Sequence, residues 1–275
     1  MSKEVATIIL NRNLPKVGDR LIRHLKKYDS DISDFYLIEA GSDKDKLSKY
    51  CTWYVNNPST MKNGLRFPRG MNFGLHKLYK ENKFSRYKAF LLLTNDTGLY
   101  NKSFIKPLYK ELIKHNRLGI ISPCGTDWAE RQYLKENKTM YFYYIHNHAY
   151  MLKKDFIDKI VNYNPNNYIK FLFDGTNFRG YGTEIEILAK CYVNDYAAGI
   201  TTKAKTFENE NFLEKYYKSI KTESIQENDK LYIEEGKKWM KEKYGFSSKW
   251  ALIYYAKNFY DRFFENYPEL IKYKL

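Results

Sequence analysis

A chain of 275 residues with 43% hydrophobic content is long enough to bury one large core, with or without an appendage. No stretch is apolar for the length a bilayer requires, and the N-terminal MSKEVATIILNRN has too short an apolar run for a signal peptide, so a cytoplasmic protein is expected. The formal charge of +15 suits an anionic ligand, an anionic membrane or a nucleic acid, but the basic residues are spread out, and Cys51, Cys124 and Cys191 are too far apart for a disulfide framework or a zinc site.

In chain order, Val5–Leu10 is a β-branched, apolar strand that runs into Asn11-Arg12-Asn13. Asn13 suits an N-cap and Pro15 a first helical turn, and Leu14, Val17, Leu21, Leu25 and Tyr28 recur at helical spacing. Phe35–Ile38 is a second strand, ending at Glu39-Ala40-Gly41-Ser42-Asp43, so the first forty residues form a βαβ unit of a parallel sheet. Cys51–Asn63 is mixed in character. Glycines and Pro68 mark Gly64–Gly74 as a loop before a helix over Met71–Lys80.

Ala89–Leu93 is an unbroken apolar run, short enough for a strand buried on both faces, and it stops abruptly at Thr94-Asn95-Asp96-Thr97. Ligands of open α/β sheets gather at the carboxyl ends of strands, where an aspartate can hold a divalent cation and the cation a diphosphate. A polar turn would have the same composition. A helix over Phe104–His115, a strand over Leu118–Ile121, a long loop over Gly125–Thr139 and a strand over Tyr141–Leu152 follow. His146 and His148 alternate on that last strand and share a face; His148 is a candidate for acceptor or phosphate contact. A short helix spans Lys153–Val161, Phe171–Gly182 is turn-rich, and Thr183–Tyr192 is helical. Asp174, in the turn-rich stretch, would orient an acceptor or cap a turn.

From about Phe207 the chain is rich in Lys and Glu and reads as helices, giving an expected division into 1–206 and 207–275. Trp250–Leu275 mixes aromatics with basic residues, as in a helix that covers a sheet edge, meets a second subunit or lies at an anionic membrane surface.

The order of these motifs resembles the GT-A glycosyltransferases of the inverting family 2. That family has a first strand ending in an Asn-Arg-like turn, here Ile9-Leu10-Asn11-Arg12-Asn13, and a second ending like Val-Asp-Asn-Gly-Ser-x-Asp, here Ile38 to Asp45. A Gly-rich Asn-x-Gly segment follows (Arg69 to Gly74), then a strand ending in an acidic motif (Leu93 to Thr97) and a Gly-x-Asp/Glu opening a helix (Tyr181-Gly182-Thr183-Glu184). The resemblance spans about residues 5 to 200.

It implies an α/β fold with a mostly parallel, Rossmann-like central sheet flanked by helices, and a helical C-terminal extension. It further implies transfer of a sugar from a UDP- or dTDP-linked donor to an acceptor hydroxyl, with inversion, in glycan or surface-polysaccharide synthesis. Asn11, Arg12, Glu39, Asn72, Asn95 and Asp96 would bind the nucleotide sugar, Asp96 would ligate Mn2+ or Mg2+, and Glu184 would be the general base. Helix geometry would then turn Glu186 away from the site. Two departures stand out: Asn95-Asp96 replaces a pair of carboxylates, and Glu39 is one methylene longer than the usual Asp. The implied partners are the nucleotide-diphosphate sugar, a glycan or lipid-linked acceptor, the inner face of an anionic membrane and a second copy of the chain, with no nucleic acid. A basic nucleic-acid-binding protein, a sugar nucleotidyltransferase and a purely structural partner are the competing readings. The nucleotidyltransferase lacks its Gly-rich, Lys-containing signature near the N-terminus.

Overall fold

The computed structural model describes residues 3–126, 129–145, 149–163, 166–208 and 211–275. The chain starts with β1 (Val5–Asn11), α1 (Pro15–Asp29) and β2 (Ser33–Ala40), the βαβ unit read from the sequence. β1 is mostly apolar because both faces are covered, whereas α1 buries one side, with Gly18, Leu21, Ile22, Leu25 and Asp29. Asn13 does not cap α1. It adopts a left-handed backbone (φ 54°), and its side-chain oxygen accepts the Asp43 N–H at 2.7 Å.

β3 (Cys51–Val55) and α2 (Pro58–Asn63) lead into α3 (Arg66–Lys80). The expected loop over Gly64–Gly74 is therefore mostly helix. Pro68 lies in its first turn, where a missing N–H costs nothing. Gly70 and Gly74 allow α3 to press onto the sheet: a Cβ would stand 2.6 Å from Leu10 Cδ1 at Gly70 and 2.7 Å from Ile8 Cγ2 at Gly74.

β4 (Ala89–Thr94), β5 (Thr97–Leu99), α4 (Ile105–Lys114) and β6 (Leu118–Gly125) follow. The strand expected over Tyr141–Leu152 divides into β7 (Thr139–Tyr141) and β8 (Ala149–Lys153), and His146 and His148 lie outside the described residues. α5 (Lys154–Ile160) and α6 (Thr183–Val193) precede β9 (Ala197–Glu208), a twelve-residue strand without a strong apolar signature.

Among the described residues the sheet has nine strands in the order β3-β2-β1-β4-β8-β6-β9-β5, with β7 paired to β9. The first four strands pair in parallel; β8 runs antiparallel to both neighbours, and β6–β9 is parallel again. The parallel part matches the sequence reading, and the rest makes the sheet mixed.

The expected boundary at residue 206 falls inside β9, and the helices beyond it, α7 (Phe212–Tyr216), α8 (Ile225–Tyr244) and α9 (Lys249–Asn266), return to the core. Tyr260, Phe263 and Phe264 of α9 join the main core. Leu252 and Ala256 form a second cluster with Ile185 and Ala189 of α6 and Trp239 and Met240 of α8. Among the described residues no helix is long and apolar enough to cross a membrane.

Candidate functional site

Parallel pairing puts the carboxyl ends of β1, β2 and β4 on one edge of the sheet, with Asn11 opposite Glu39 and Leu10 opposite Thr94. A chain of buried hydrogen bonds ties these ends together. Asn95 Nδ2 donates to Asn11 Oδ1 at 2.6 Å, and Asn11 Nδ2 donates to Glu39 Oε1 at 2.8 Å. Ser48 N–H donates to the same Glu39 oxygen at 2.8 Å, and Ser42 Oγ to Oε2 at 2.5 Å.

Glu39 is thus fully buried with both oxygens engaged. Burial pushes its carboxyl above the ordinary value, and the hydrogen bonds from Ser42, Ser48 and Asn11 pull the other way. Ala40 borders the adjacent cavity, while the Glu39 oxygens are taken up by Asn11, Ser42 and Ser48. Glu39 fixes the orientation of Asn11.

That cavity, of about 420 Å³, is bordered by Asn11, Arg12, Arg66, Asn95 and Asp96. Arg12 donates through Nη2 to the carbonyls of Met61 (2.8 Å) and Lys62 (3.1 Å). Burial, and then the neighbouring Arg66, lower the Arg12 pKa. Arg66 begins α3 and donates through Nη2 to Thr222 Oγ1 and Glu223 Oε2, both at 2.6 Å, while its buried Nε has no hydrogen-bond partner. Arg179 also binds Glu223, at 2.5 Å, and Glu235. These pairs hold the 217–228 segment across the cavity, where Ile220, Thr222 and Asn228 form part of its wall. The sequence reading missed Arg66. Read as part of a loop, it carried no local signal; the structure puts it in the first turn of α3, where the dipole disfavours a cation.

Asn95 and Asp96 form the β4–β5 turn, and exposed Asp96 borders both this cavity and a neighbouring one of about 770 Å³ beside α1. No group of three or more His, Cys, Asp or Glu side chains among the described residues could hold a metal ion. A hard divalent cation can nevertheless sit on one carboxylate when substrate phosphates supply the remaining oxygens.

Asn72 lies elsewhere. Its Nδ2 donates to the carbonyls of Ile169 and Phe173, both at 2.8 Å, and its Oδ1 accepts from the N–H groups of Leu172 (3.0 Å) and Phe173 (2.9 Å). With its side chain filled by backbone partners, Asn72 tethers the 169–173 segment, and the expected nucleotide contact has no free group to make it.

α6 opens at Gly182, which is left-handed at φ 85°. Glu184 is buried, its Oε1 2.8 Å from Lys249 Nζ and its Oε2 without a hydrogen-bond partner. Burial, with the Glu184 charge next, raises the hydroxyl pKa of Tyr150 and Tyr232. Tyr232 lies one turn along α8 from Asn228 of the cavity wall.

Glu186, two residues on, faces a different set of partners. It is also buried, 2.6 Å from Lys243 Nζ and 3.2 Å from the Tyr244 hydroxyl. Lys243 in turn donates to Asp174 at 2.8 Å, and Trp239 Nε1 donates to the same Asp174 oxygen at 3.1 Å. Burial alone would raise the Asp174 carboxyl, but hydrogen bonds from Lys243, Thr176 and Trp239 prevail and hold it well below the usual carboxylate range. The two acids of α6 thus enter separate ion clusters. Asp174 belongs with Glu186 and not with Asp96, and His148 falls outside the described residues.

No known family profile and no curated protein matches the sequence. Solved structures do. One is GalNAc-T7 with UDP, GalNAc and Mn2+, at a TM-score of 0.58 and 10% identity, covering 99% of this chain and 59% of that one. Another is the mannosyltransferase PcManGT from Pyrobaculum calidifontis in complex with GDP-Man and Mn2+, at a TM-score of 0.53 and 9% identity, covering 94% and 74%. The chain therefore spans little more than half the length of the first, and at such identities the likeness is one of architecture. The chain has the GT-A fold, the mixed α/β architecture of these glycosyltransferases.

Proposed function

We propose that the protein is a glycosyltransferase that moves a sugar from a nucleotide-diphosphate donor, UDP- or dTDP-linked, to an acceptor hydroxyl by single-displacement inversion. The observation that carries this reading is the convergence of two arginines and one aspartate, Arg12, Arg66 and Asp96, on a cavity at the carboxyl ends of parallel strands. Arginine suits a diphosphate because its planar fork can hold two phosphate oxygens at once. Asn11 and Asn95, fixed by the buried relay, offer polar edges to the donor.

Asp96 would hold Mn2+ or Mg2+, which when bound neutralises charge on the departing diphosphate. Glu184 is the residue for the acceptor side: Lys249 occupies Oε1, and the buried, unbonded Oε2 would take the hydroxyl proton. In this reading Asp174 positions the 171–182 segment through Lys243 and Trp239 rather than touching acceptor. A glycan or lipid-linked acceptor, synthesis of a surface polysaccharide and attachment to the inner face of an anionic membrane fit the outward Trp250 and Tyr254 of α9, 80% and 67% exposed.

The test is thermal shift against UDP-, dTDP- and GDP-sugars with and without manganese, followed by donor turnover. UDP- or dTDP-sugars should raise the melting temperature, more so with manganese, and Asp96→Asn should remove the manganese increment while leaving the unliganded melting temperature unchanged. Indifference to every nucleotide sugar in both conditions would overturn the reading.

A further inference from the structure

A second cavity, of about 520 Å³, opens between α4, the segment leading into β7, β9 and the C-terminal turn at Pro268–Tyr273. None of its lining residues borders the cavity at Asp96. Five of the twelve are lysines (Lys114, Lys135, Lys138, Lys203 and Lys272), whereas Lys and Arg together make up 47 of the 275 residues of the chain.

One acid, Glu111, lies among them, and it is already matched. Its Oε1 is 2.6 Å from Lys203 Nζ and its Oε2 accepts from Thr139 Oγ1 at 2.8 Å. Among the described residues the other four lysines form no ion pair; Lys272 lies over the Tyr273 ring at 5.3 Å. His115, buried on the floor, is bonded through Nδ1 to the Tyr141 hydroxyl at 2.9 Å. Four unmatched ammonium groups around one concavity repel one another, and the low-dielectric walls focus their field into it. An anion removes that repulsion. Lysine ammonium groups bind phosphate as point charges, and each phosphate carries up to about two negative charges, so two phosphates balance about four lysines.

We propose that this cavity is an anion site, separate from the donor cavity, that takes the phosphate groups of a ligand carrying two of them. The phosphates can arrive free in solution or at the head of a lipid. A polynucleotide fits less well: it needs an extended groove with successive stacking platforms, and this is one compact concavity with a single outward ring, Tyr133.

The experiment is lysine acetylation of the full chain, read residue by residue by mass spectrometry. One arm contains inorganic pyrophosphate, a second phosphatidylcholine vesicles with diacylglycerol pyrophosphate, a third phosphatidylcholine alone and a fourth a short RNA. Lys230, Lys237 and Lys238 of α8 serve as internal references. Pyrophosphate should selectively protect Lys114, Lys135 and Lys138. Selective protection by diacylglycerol pyrophosphate vesicles alone supports the site with lipid as the source. Lys138→Glu should raise the concentration of the effective probe that half-protects Lys114 by about tenfold. Protection spread evenly over the reference lysines, protection by RNA alone, no protection in any arm, or an unchanged half-protection point in Lys138→Glu overturns the proposal. The donor-site reading stands or falls separately, because its lysine-free cavity gives no signal in this measurement.

Discussion

At Glu184 one carboxylate oxygen is bonded and the other is buried without a hydrogen-bond partner, and two residues on Glu186 faces a different lysine. That asymmetry yields a paired prediction. Glu184→Gln keeps size and hydrogen-bonding reach but cannot take a proton, so turnover should fall by about 10²-fold or more while the nucleotide-induced thermal shift is retained. Glu186→Gln should do the reverse: it removes the buried charge that pairs with Lys243 and should cost about 2 kcal/mol in denaturant unfolding, with little change in turnover per folded molecule. Turnover lost in Glu186→Gln but not in Glu184→Gln would assign the base to the wrong side of α6. Only part of this scale was legible beforehand. The place of Asp96 in the turn after β4 could be read because a polar turn after an apolar run is a local signal. Glu39 and Asn72 look like ligand residues in the sequence, but whether a polar side chain serves a ligand or its own backbone depends on partners distant in sequence, here Ser48 and Phe173.

Among the elements, α3 is where sequence and structure differ most usefully. Its glycines and Pro68 carry loop chemistry, but they serve close packing and a helix start. Gly74→Ala sets two effects against each other. Alanine gains about 1 kcal/mol of helix propensity, whereas a Cβ 2.7 Å from Ile8 Cγ2 and 3.0 Å from Ile38 Cδ1 meets two fully buried side chains, and overpacking of this kind costs about 1–3 kcal/mol. The second effect should win, and a urea midpoint above wild type would show that α3 does not press on the sheet. β9 went unread because Ala197–Glu208 is built of small and polar residues and is a strand only through its pairing with β5, β6 and β7. The role of the 217–228 segment was equally hidden, since Arg66 meets Thr222 and Glu223 only after the chain returns from more than 150 residues away.

Across the whole molecule, two groups of carboxyls set opposite pH dependences. Asp174 lies well below its ordinary value and Glu223 at about 2, in both cases because hydrogen bonds and nearby cations outweigh burial, so they contribute stability above the unfolded carboxylate pKa that is lost as pH falls through the folded value. Glu39 is raised, so its contribution is present at low pH and is lost as pH rises through its folded pKa. Asp174→Asn should therefore flatten the fall in melting temperature below about pH 4, and an unchanged acid slope would remove Asp174 from the account. Trp250→Ala should leave the melting temperature unchanged and weaken binding to anionic vesicles, since that ring projects outward while Tyr260, Phe263 and Phe264 of the same helix fill the core. Equal vesicle binding by wild type and variant would leave α9 a packing helix only. The relay from Asn95 through Asn11 to Glu39 and the Ser48 N–H has a spectroscopic consequence. A ligand that draws on Asn95 changes the acceptor strength of the Glu39 oxygen that holds the Ser48 amide. Ser48 does not border the cavity. Its deuterium-exchange rate should therefore change on nucleotide binding, giving an internal gauge of donor occupancy that requires no label in the site.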